Sequence, residues 1–196
     1  PRSPIIPSKF SGIEYLLKNH RNLIDAEFAL NEGGGGHIDK SGKYVYHGIL
    51  AAEKVFQTYH LETTNPGGHS SRPSRDNAIY HLADGLSRLA KFDFPFRLTL
   101  VTRAYFERAA ALESGQVAAD MKAILLDPPD AQALARLSRV PAYNAQFRTT
   151  CVATMLDAGH ATNALPQRAR AVVNCRVIPG DSVADAATLT RLVVAT

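Results

Sequence analysis

The segment 55–91 constrains the fold of this chain most, because two different side-chain periodicities meet there across a glycine bend. Val55–Thr63 alternates in side-chain character, which is typical of a half-solvated antiparallel strand. Residues 76–91 carry an apolar stripe at helical spacing, with polar residues on the other side. The sequence therefore predicts a strand followed by an amphipathic helix, which Ser74 or Asp76 is able to cap.

The remainder of the chain extends this strand–helix unit. An Ala-rich stretch of about 92–146 predicts an inserted helical subdomain, with helices around 103–113, 117–126 and 130–138. Two apolar runs, 147–156 and 169–178, then predict a hairpin with a long loop, and a helix starts near Ser182. Without the insertion, residues 53–196 run strand, helix, strand, strand, helix. This order predicts an α/β (α+β) fold with a ferredoxin-like βαββαβ domain that lacks its last strand.

The first 52 residues have the character of a different domain. They predict a helix over 11–24, a short buried strand over 26–31 and another strand over 44–51. Glu32 ends the buried strand and is followed by four glycines, Gly33 to Gly36, which predict a loop. We therefore expect two domains, 1–52 and 53–196, with the boundary near residues 51–54.

Charge and composition exclude some classes of function. The formal net charge is only +4, from 22 basic and 18 acidic residues, and the aromatic-rich strand of common RNA-binding folds is lacking. No apolar run approaches the ~20 residues of a membrane span. We therefore expect no nucleic-acid partner and no membrane segment. Cys151 and Cys175 stand in apolar runs, and we expect both to be small core residues. The sequence decides neither whether they form a disulfide nor in which compartment the protein resides.

Two polar residues stand out beside glycines. Gly67 and Gly68 allow a sharp bend that leaves His69 on a small polar loop, where an imidazole is able to donate a hydrogen bond or act as acid or base. Glu32 faces the glycine run, and its carboxylate is either a zinc ligand or a solvated group at a strand end. His69 is correspondingly either functional or an ordinary loop histidine.

Three separated motifs occur together in this chain: AEFALNEGGGG at 26–36, GGHSSRPSRDNAIYHLA at 67–83, and Gly159…NALP with NCRV at 159–177. In this order they resemble the dinuclear zinc exopeptidases and deacylases, which include carboxypeptidase G, aminoacylase, succinyl-diaminopimelate desuccinylase, carnosine dipeptidases and carboxypeptidase S. These proteins have a metal-binding catalytic domain that is interrupted by a ferredoxin-like lid, which commonly carries the dimer interface. The resemblance implies that residues 1–52 end the first half of the catalytic domain and that 53–196 form the lid.

The resemblance also implies roles for four residues. Glu32 matches a terminal carboxylate ligand of one of two zinc ions, although another divalent metal is an alternative. His69 matches a lid histidine that reaches the partner subunit's active site and hydrogen-bonds the oxyanion. Arg176 matches an arginine that holds the substrate's α-carboxylate, and Asn163 an asparagine that hydrogen-bonds the substrate. Their structural alternatives are a salt-bridged strand arginine and a left-handed turn asparagine.

The implied function is hydrolysis, by a water that two zinc ions activate, of the amide bond of a peptide or N-acyl amino acid beside a free carboxylate. A homodimer formed through the lid is expected. The family's Glu-Glu pair is not found in the sequence, and the His37–Asp39 spacing follows Glu32 instead of preceding it, so we reject it as the metal pair. We therefore expect this chain to be a central portion of the enzyme that is inactive alone. The alternative is a non-catalytic ferredoxin-like module for dimerisation or small-ligand binding.

Overall fold

The structure is a computed structural model that describes residues 12–27 and 34–194. It divides the chain into two compact units, residues 1–49 and 50–196. Glu32 and most of the predicted strand 26–31 lie outside the described residues. Among the helices that the structure describes, none is long and apolar enough to cross a membrane.

The described part of the first unit contains two short helices and one hairpin. The predicted helix over 11–24 is divided at His20 into α1 (Gly12–Asn19) and α2 (Arg21–Ile24). The strands β1 (Gly35–Ile38) and β2 (Tyr44–Gly48) pair antiparallel. The prediction of a glycine loop over 33–36 is therefore wrong for Gly35 and Gly36, because both pair with β2.

The second unit contains two sheets and six helices in its described part. Its elements in chain order are β3 (Val55–Thr64), β4 (Gly68–His69), α3 (Ala78–Lys91), α4 (Leu100–Leu112), α5 (Gly115–Ala123), α6 (Ala131–Ser138), α7 (Pro141–Asn144), β5 (Thr150–Ala158), β6 (Ala164–Leu165), β7 (Arg168–Val177) and α8 (Val183–Val194). The main sheet has the order β3-β7-β5, with both pairs antiparallel, and β4 pairs with β6. The chain is thus a mixed α/β protein, and the ferredoxin-like assignment stays a prediction.

The main sheet has one buried face and one open, exposed face, and the central strand β7 contributes side chains to both. Its residues alternate, so that Ala171 and Val173 are buried while Arg170 and Arg176 are exposed. The apolar stripe of α3 packs on the buried face, where Leu82 contacts the alanines of β7. Each large apolar side chain that is buried in this way stabilises the fold by about 2 kcal/mol.

Helix α3 begins at Ala78, one residue later than a cap at Asp76 implies and three later than a cap at Ser74 implies. Asn77 is its N-cap, and its side-chain Oδ1 accepts a hydrogen bond from the backbone N–H of Ile79 at 2.8 Å. Ser74 instead accepts a hydrogen bond from the backbone N–H of Asp76. The prediction of Ser74 or Asp76 as the cap is therefore wrong, because Asn77 is the last extended residue before the helix.

The insertion between α3 and β5 is helical, as predicted, and has a core of its own. Phe106 and Phe147 are both fully buried there, with ring centroids 5.9 Å apart. Because Phe147 belongs to this core, the strand predicted over 147–156 begins only at Thr150. Asp120 is buried in the insertion and accepts hydrogen bonds from Arg136, which lower the pKa of that carboxyl.

The two cysteines face each other across β5 and β7 and form a disulfide. Cys175 is fully buried beside Leu89 and Val173, so it is a core residue as well as a disulfide partner. The covalent bond joins the central strand of the sheet to its edge strand, 24 residues away in sequence. It therefore closes the loop that carries Asn163.

We expect reduction of this disulfide to lower the free energy of unfolding by about 3 kcal/mol, because the bond restricts the unfolded chain. Chemical denaturation of the chain with and without dithiothreitol measures the change. The Cys151→Ala/Cys175→Ala variant should resemble the reduced protein and should not respond to dithiothreitol. Equal stability of the oxidised and reduced chain would contradict the expectation.

Candidate functional site

The loop after β3 is held in shape by one asparagine and one glycine. The side chain of Asn65 accepts a hydrogen bond from the backbone N–H of Gly67 at 2.9 Å and donates one to the carbonyl of Asp76 at 3.0 Å. Gly67 has φ +82°, and a Cβ at this position would lie 2.7 Å from Cγ of Gln167. Only glycine suits this bend without displacing Gln167. The bend fixes the direction in which the chain continues to His69.

His69 and Asn163 lie side by side on two loops that pair as short strands. His69 is opposite Ala164 in the β4–β6 ladder. The backbone N–H of Ser70 donates to the carbonyl of Asn163 at 2.9 Å. No non-glycine residue in the described part of the chain has a positive φ, so the left-handed alternative for Asn163 is wrong. The structure thus brings two of the four predicted site residues together, both of them exposed.

Ser71 fixes which nitrogen of the His69 ring faces outwards. Its backbone N–H donates to Nδ1 of His69 at 3.2 Å, and its hydroxyl lies 2.8 Å from the same atom. A backbone N–H is only a donor, so Nδ1 must accept and the proton of the neutral ring resides on Nε2. His69 therefore presents an N–H donor towards solvent, which is the form that stabilises a developing oxyanion.

Arg176 lies at the opposite end of the main sheet from His69. It pairs with Phe56 on β3 and with Thr150 on β5, and its guanidinium lies 5.7 Å from the centre of the Phe56 ring. Arg168 lies at the end of β7 nearest to His69. Arg176 lies eight positions further along the same strand, about 27 Å away at the rise of an antiparallel strand. In the described parts of the chain no carboxylate forms an ion pair with Arg176, so the salt-bridge alternative lacks support.

Lys54 is a further polar residue close to Arg176, and no sequence pattern singles it out. It precedes β3 and is half-buried, and its Nζ donates to the carbonyl of Arg148 at 2.7 Å and to Oγ1 of Thr150 at 3.3 Å. Burial, and secondarily the charge of Arg176, lower the pKa of Lys54 to about 8. In the sequence Lys54 resembles any polar residue at a strand start, and only the tertiary contacts distinguish it.

The described residues do not form a metal site. Over 12–27 and 34–194 no group of three or more histidine, cysteine or acidic side chains could hold an ion. His37 stacks on Tyr46, and Asp39 accepts hydrogen bonds from Ser41 and Lys43, which lower the pKa of Asp39. The predicted ligand Glu32 is outside the described residues, and we derive no chemical step through a metal from these side chains.

Comparison with known proteins places this geometry in a family. The chain is 35% identical over 128 residues to "Probable carboxypeptidase S-like 2" of Dictyostelium discoideum, covering 64% of this chain and 24% of that protein. It is 32% identical over 149 residues to human "N-fatty-acyl-amino acid synthase/hydrolase PM20D1", covering 75% of this chain and 29% of that protein. The chain thus spans less than a third of the length of these relatives.

A solved structure has the same fold over most of the chain. It is an M20 family metallo-carboxypeptidase, Sso-CP2 from Sulfolobus solfataricus, with a TM-score of 0.54 and 19% identity. The match covers 94% of this chain and 49% of that one. The family described as "Peptidase dimerisation domain" matches residues 51–195. The resemblance that the sequence motifs predicted is confirmed, and the chain belongs to the M20 peptidase dimerisation domain family.

Proposed function

We propose that the protein containing this chain is a metal-dependent hydrolase that cleaves the amide bond of a peptide or N-acyl amino acid beside a free carboxylate. The observation that carries the proposal is the position of the candidate groups relative to the main sheet. His69 and Asn163 lie together at the β4–β6 pair, beyond the end of β7 that carries Arg168, and Arg176 lies at the other end of β7. The names of the relatives, a carboxypeptidase S-like protein and an N-fatty-acyl-amino acid synthase/hydrolase, support the same substrate class.

The two ends of the sheet are too far apart to act on one substrate molecule. In an N-acyl amino acid the scissile carbonyl carbon and the α-carboxylate carbon are less than about 4 Å apart, by standard bond lengths. His69 and Arg176 lie at opposite ends of a segment of β7 that is about 27 Å long. They therefore belong to two different active sites. A two-fold symmetric dimer, which the family's description suggests, would combine His69 and Asn163 of one subunit with Arg176 of the other.

Each group has a distinct task in such a site. The Nε2–H of His69 stabilises the oxyanion that forms when water adds to the scissile carbonyl. Asn163 donates its amide to the substrate, and Arg176 binds the α-carboxylate with its guanidinium fork. In the whole protein Glu32 would be among the ligands of a divalent metal, which we propose to be a pair of zinc ions and which would supply an activated water. The 196-residue chain alone is proposed to be inactive.

The first test separates the two roles kinetically in the full-length enzyme. We expect His69→Ala to lower kcat by about 10²–10³, the usual cost of one oxyanion donor. Arg176→Ala should chiefly raise KM, because it removes an interaction made before and during the reaction. Steady-state rates on peptides and N-fatty-acyl amino acids measure both effects.

Matched controls are available for both variants. Arg170 lies on the same strand and face as Arg176 but is paired with Glu62, so Arg170→Ala should leave KM unchanged. His160→Ala, at another exposed loop position, should leave kcat unchanged. Wild-type kinetics for both principal variants would contradict these roles. A full-length protein that cleaves no member of the panel would favour the non-catalytic module.

The second test uses mixed dimers of the two variants. If each site combines His69 of one subunit with Arg176 of the other, a dimer of one His69→Ala and one Arg176→Ala subunit has one intact site. At substrate concentrations far below the raised KM of Arg176→Ala, random mixing should then restore about a quarter of wild-type activity, since half the dimers are mixed and each has one working site. Sites built within single subunits would give no recovery, which contradicts the shared arrangement.

The third test concerns the orientation of His69. We expect Ser71→Ala to lower kcat about fivefold, the effect of losing one hydrogen bond worth about 1 kcal/mol. The backbone N–H of Ser71 remains, so ¹⁵N chemical shifts of the ring should still report a proton on Nε2. Ser70→Ala is the control, because the contact of Ser70 with Asn163 is made by its backbone. A shift of the proton to Nδ1 in Ser71→Ala would contradict the assignment.

A further inference from the structure

We propose that Lys54 is a second cation of the carboxylate subsite formed by Arg176, and that the two side chains hold the substrate's α-carboxylate jointly. The inference rests on the proposed function in one respect, the role of Arg176. It adds a specificity-determining residue that makes binding of anionic substrates depend on pH in the neutral to mildly alkaline range.

The position of Lys54 supports this assignment. Thr150 lies directly opposite Arg176 in the β5–β7 ladder, and the Nζ of Lys54 reaches Oγ1 of Thr150 at 3.3 Å. The carbonyl of Arg148 accepts a second hydrogen bond from Nζ at 2.7 Å. An ammonium group has three hydrogens, so one remains for a ligand beside the exposed Arg176. Lys54 is therefore held in one place with part of its binding capacity unused.

The charges at this end of the sheet are not balanced. Six residues earlier on the same strand and face, Arg170 has Glu62 opposite it and forms an ion pair. At the corresponding position opposite Arg176 the chain has Phe56, and Lys54 has no carboxylate within ion-pair distance among the residues that the structure describes. Two adjacent cations repel each other, and half-burial weakens the hydration of Lys54. An anionic ligand would relieve both costs.

The other charged groups around Lys54 are two arginines and two carboxylates. On the side of the helical insertion, Arg148 forms an ion pair with Asp93 at 3.1 Å. Arg176 lies on β7, and Glu53 directly precedes Lys54 in the chain. The pKa of Lys54 itself is lowered to about 8, mainly by burial. Bound carboxylate favours the ammonium form, so affinity should fall as the pH rises through about 8.

The test measures KM of the full-length enzyme between pH 6.5 and 9.5 for two probes, N-dodecanoyl-phenylalanine and its C-terminal amide. For the wild type, the ratio of the carboxylate KM to the amide KM should rise about tenfold between pH 6.5 and 9.5, the effect of losing one hydrogen bond to a charged group. This rise is the pH step. Lys54→Met should show the raised ratio already at pH 7 and no pH step. Lys54→Arg should keep the low ratio across the whole range, because arginine stays charged.

Matched measurements keep the outcomes distinct. Lys122→Met, at an exposed position on α5, is the control and should behave as the wild type. If Lys54→Met does not fold, as judged by thermal unfolding, the loss of the pH step in Lys54→Arg carries the test. If a probe is turned over too slowly, its Kd by calorimetry at the same pH values replaces KM.

Three results would overturn the inference. An increased ratio in Arg176→Ala with an unchanged ratio in Lys54→Met leaves the proposed function intact and makes Lys54 a purely structural residue. A pH step that persists in both Lys54 variants has the same meaning. An unchanged ratio in both Arg176→Ala and Lys54→Met removes the carboxylate subsite, and with it both the role of Arg176 and that of Lys54.

Discussion

The antiparallel pairing of β3 with β7 is the constraint on which the rest of the second unit depends. It runs without a bulge from Val55 opposite Val177 to Thr64 opposite Arg168. Because side chains alternate along a strand, a shift of one residue would turn the buried face of β7 to solvent. The pairing therefore fixes at once which residues pack under α3 and which groups stand at each end of the sheet.

The periodic elements were predictable from the sequence, whereas their ends were not. The alternation of β3 and the stripe of α3 depend on spacing alone, so both were predicted to within a few residues. The cap of α3 was misplaced because Asn77 competes with two other residues of equal capping ability. The sequence predicts a strand at Phe147 because an apolar residue near a boundary suits either of two cores, and only packing decides between them.

Contacts between distant parts of the chain were beyond the reach of sequence patterns. The disulfide depends on the register of β5 against β7, which brings Cys151 opposite Cys175, and no local spacing reveals this. The proximity of His69 to Asn163 has the same origin in the β4–β6 pairing. Lys54 was missed because its significance depends on burial and on contacts with residues almost a hundred positions away.

The open face of the sheet shows how the same residue type acquires different uses. Arg170 and Arg176 point to the same side of β7, yet one faces a glutamate and the other a phenylalanine. A carboxylate in place of Phe56 would neutralise Arg176 and would compete with any anionic ligand. The phenylalanine ring instead makes a cation–π contact with the guanidinium, which leaves the hydrogen-bond donors of Arg176 available. The charge of Arg176 is thus left without a carboxylate partner among the described residues, which is the arrangement that the proposed binding of an anionic ligand requires.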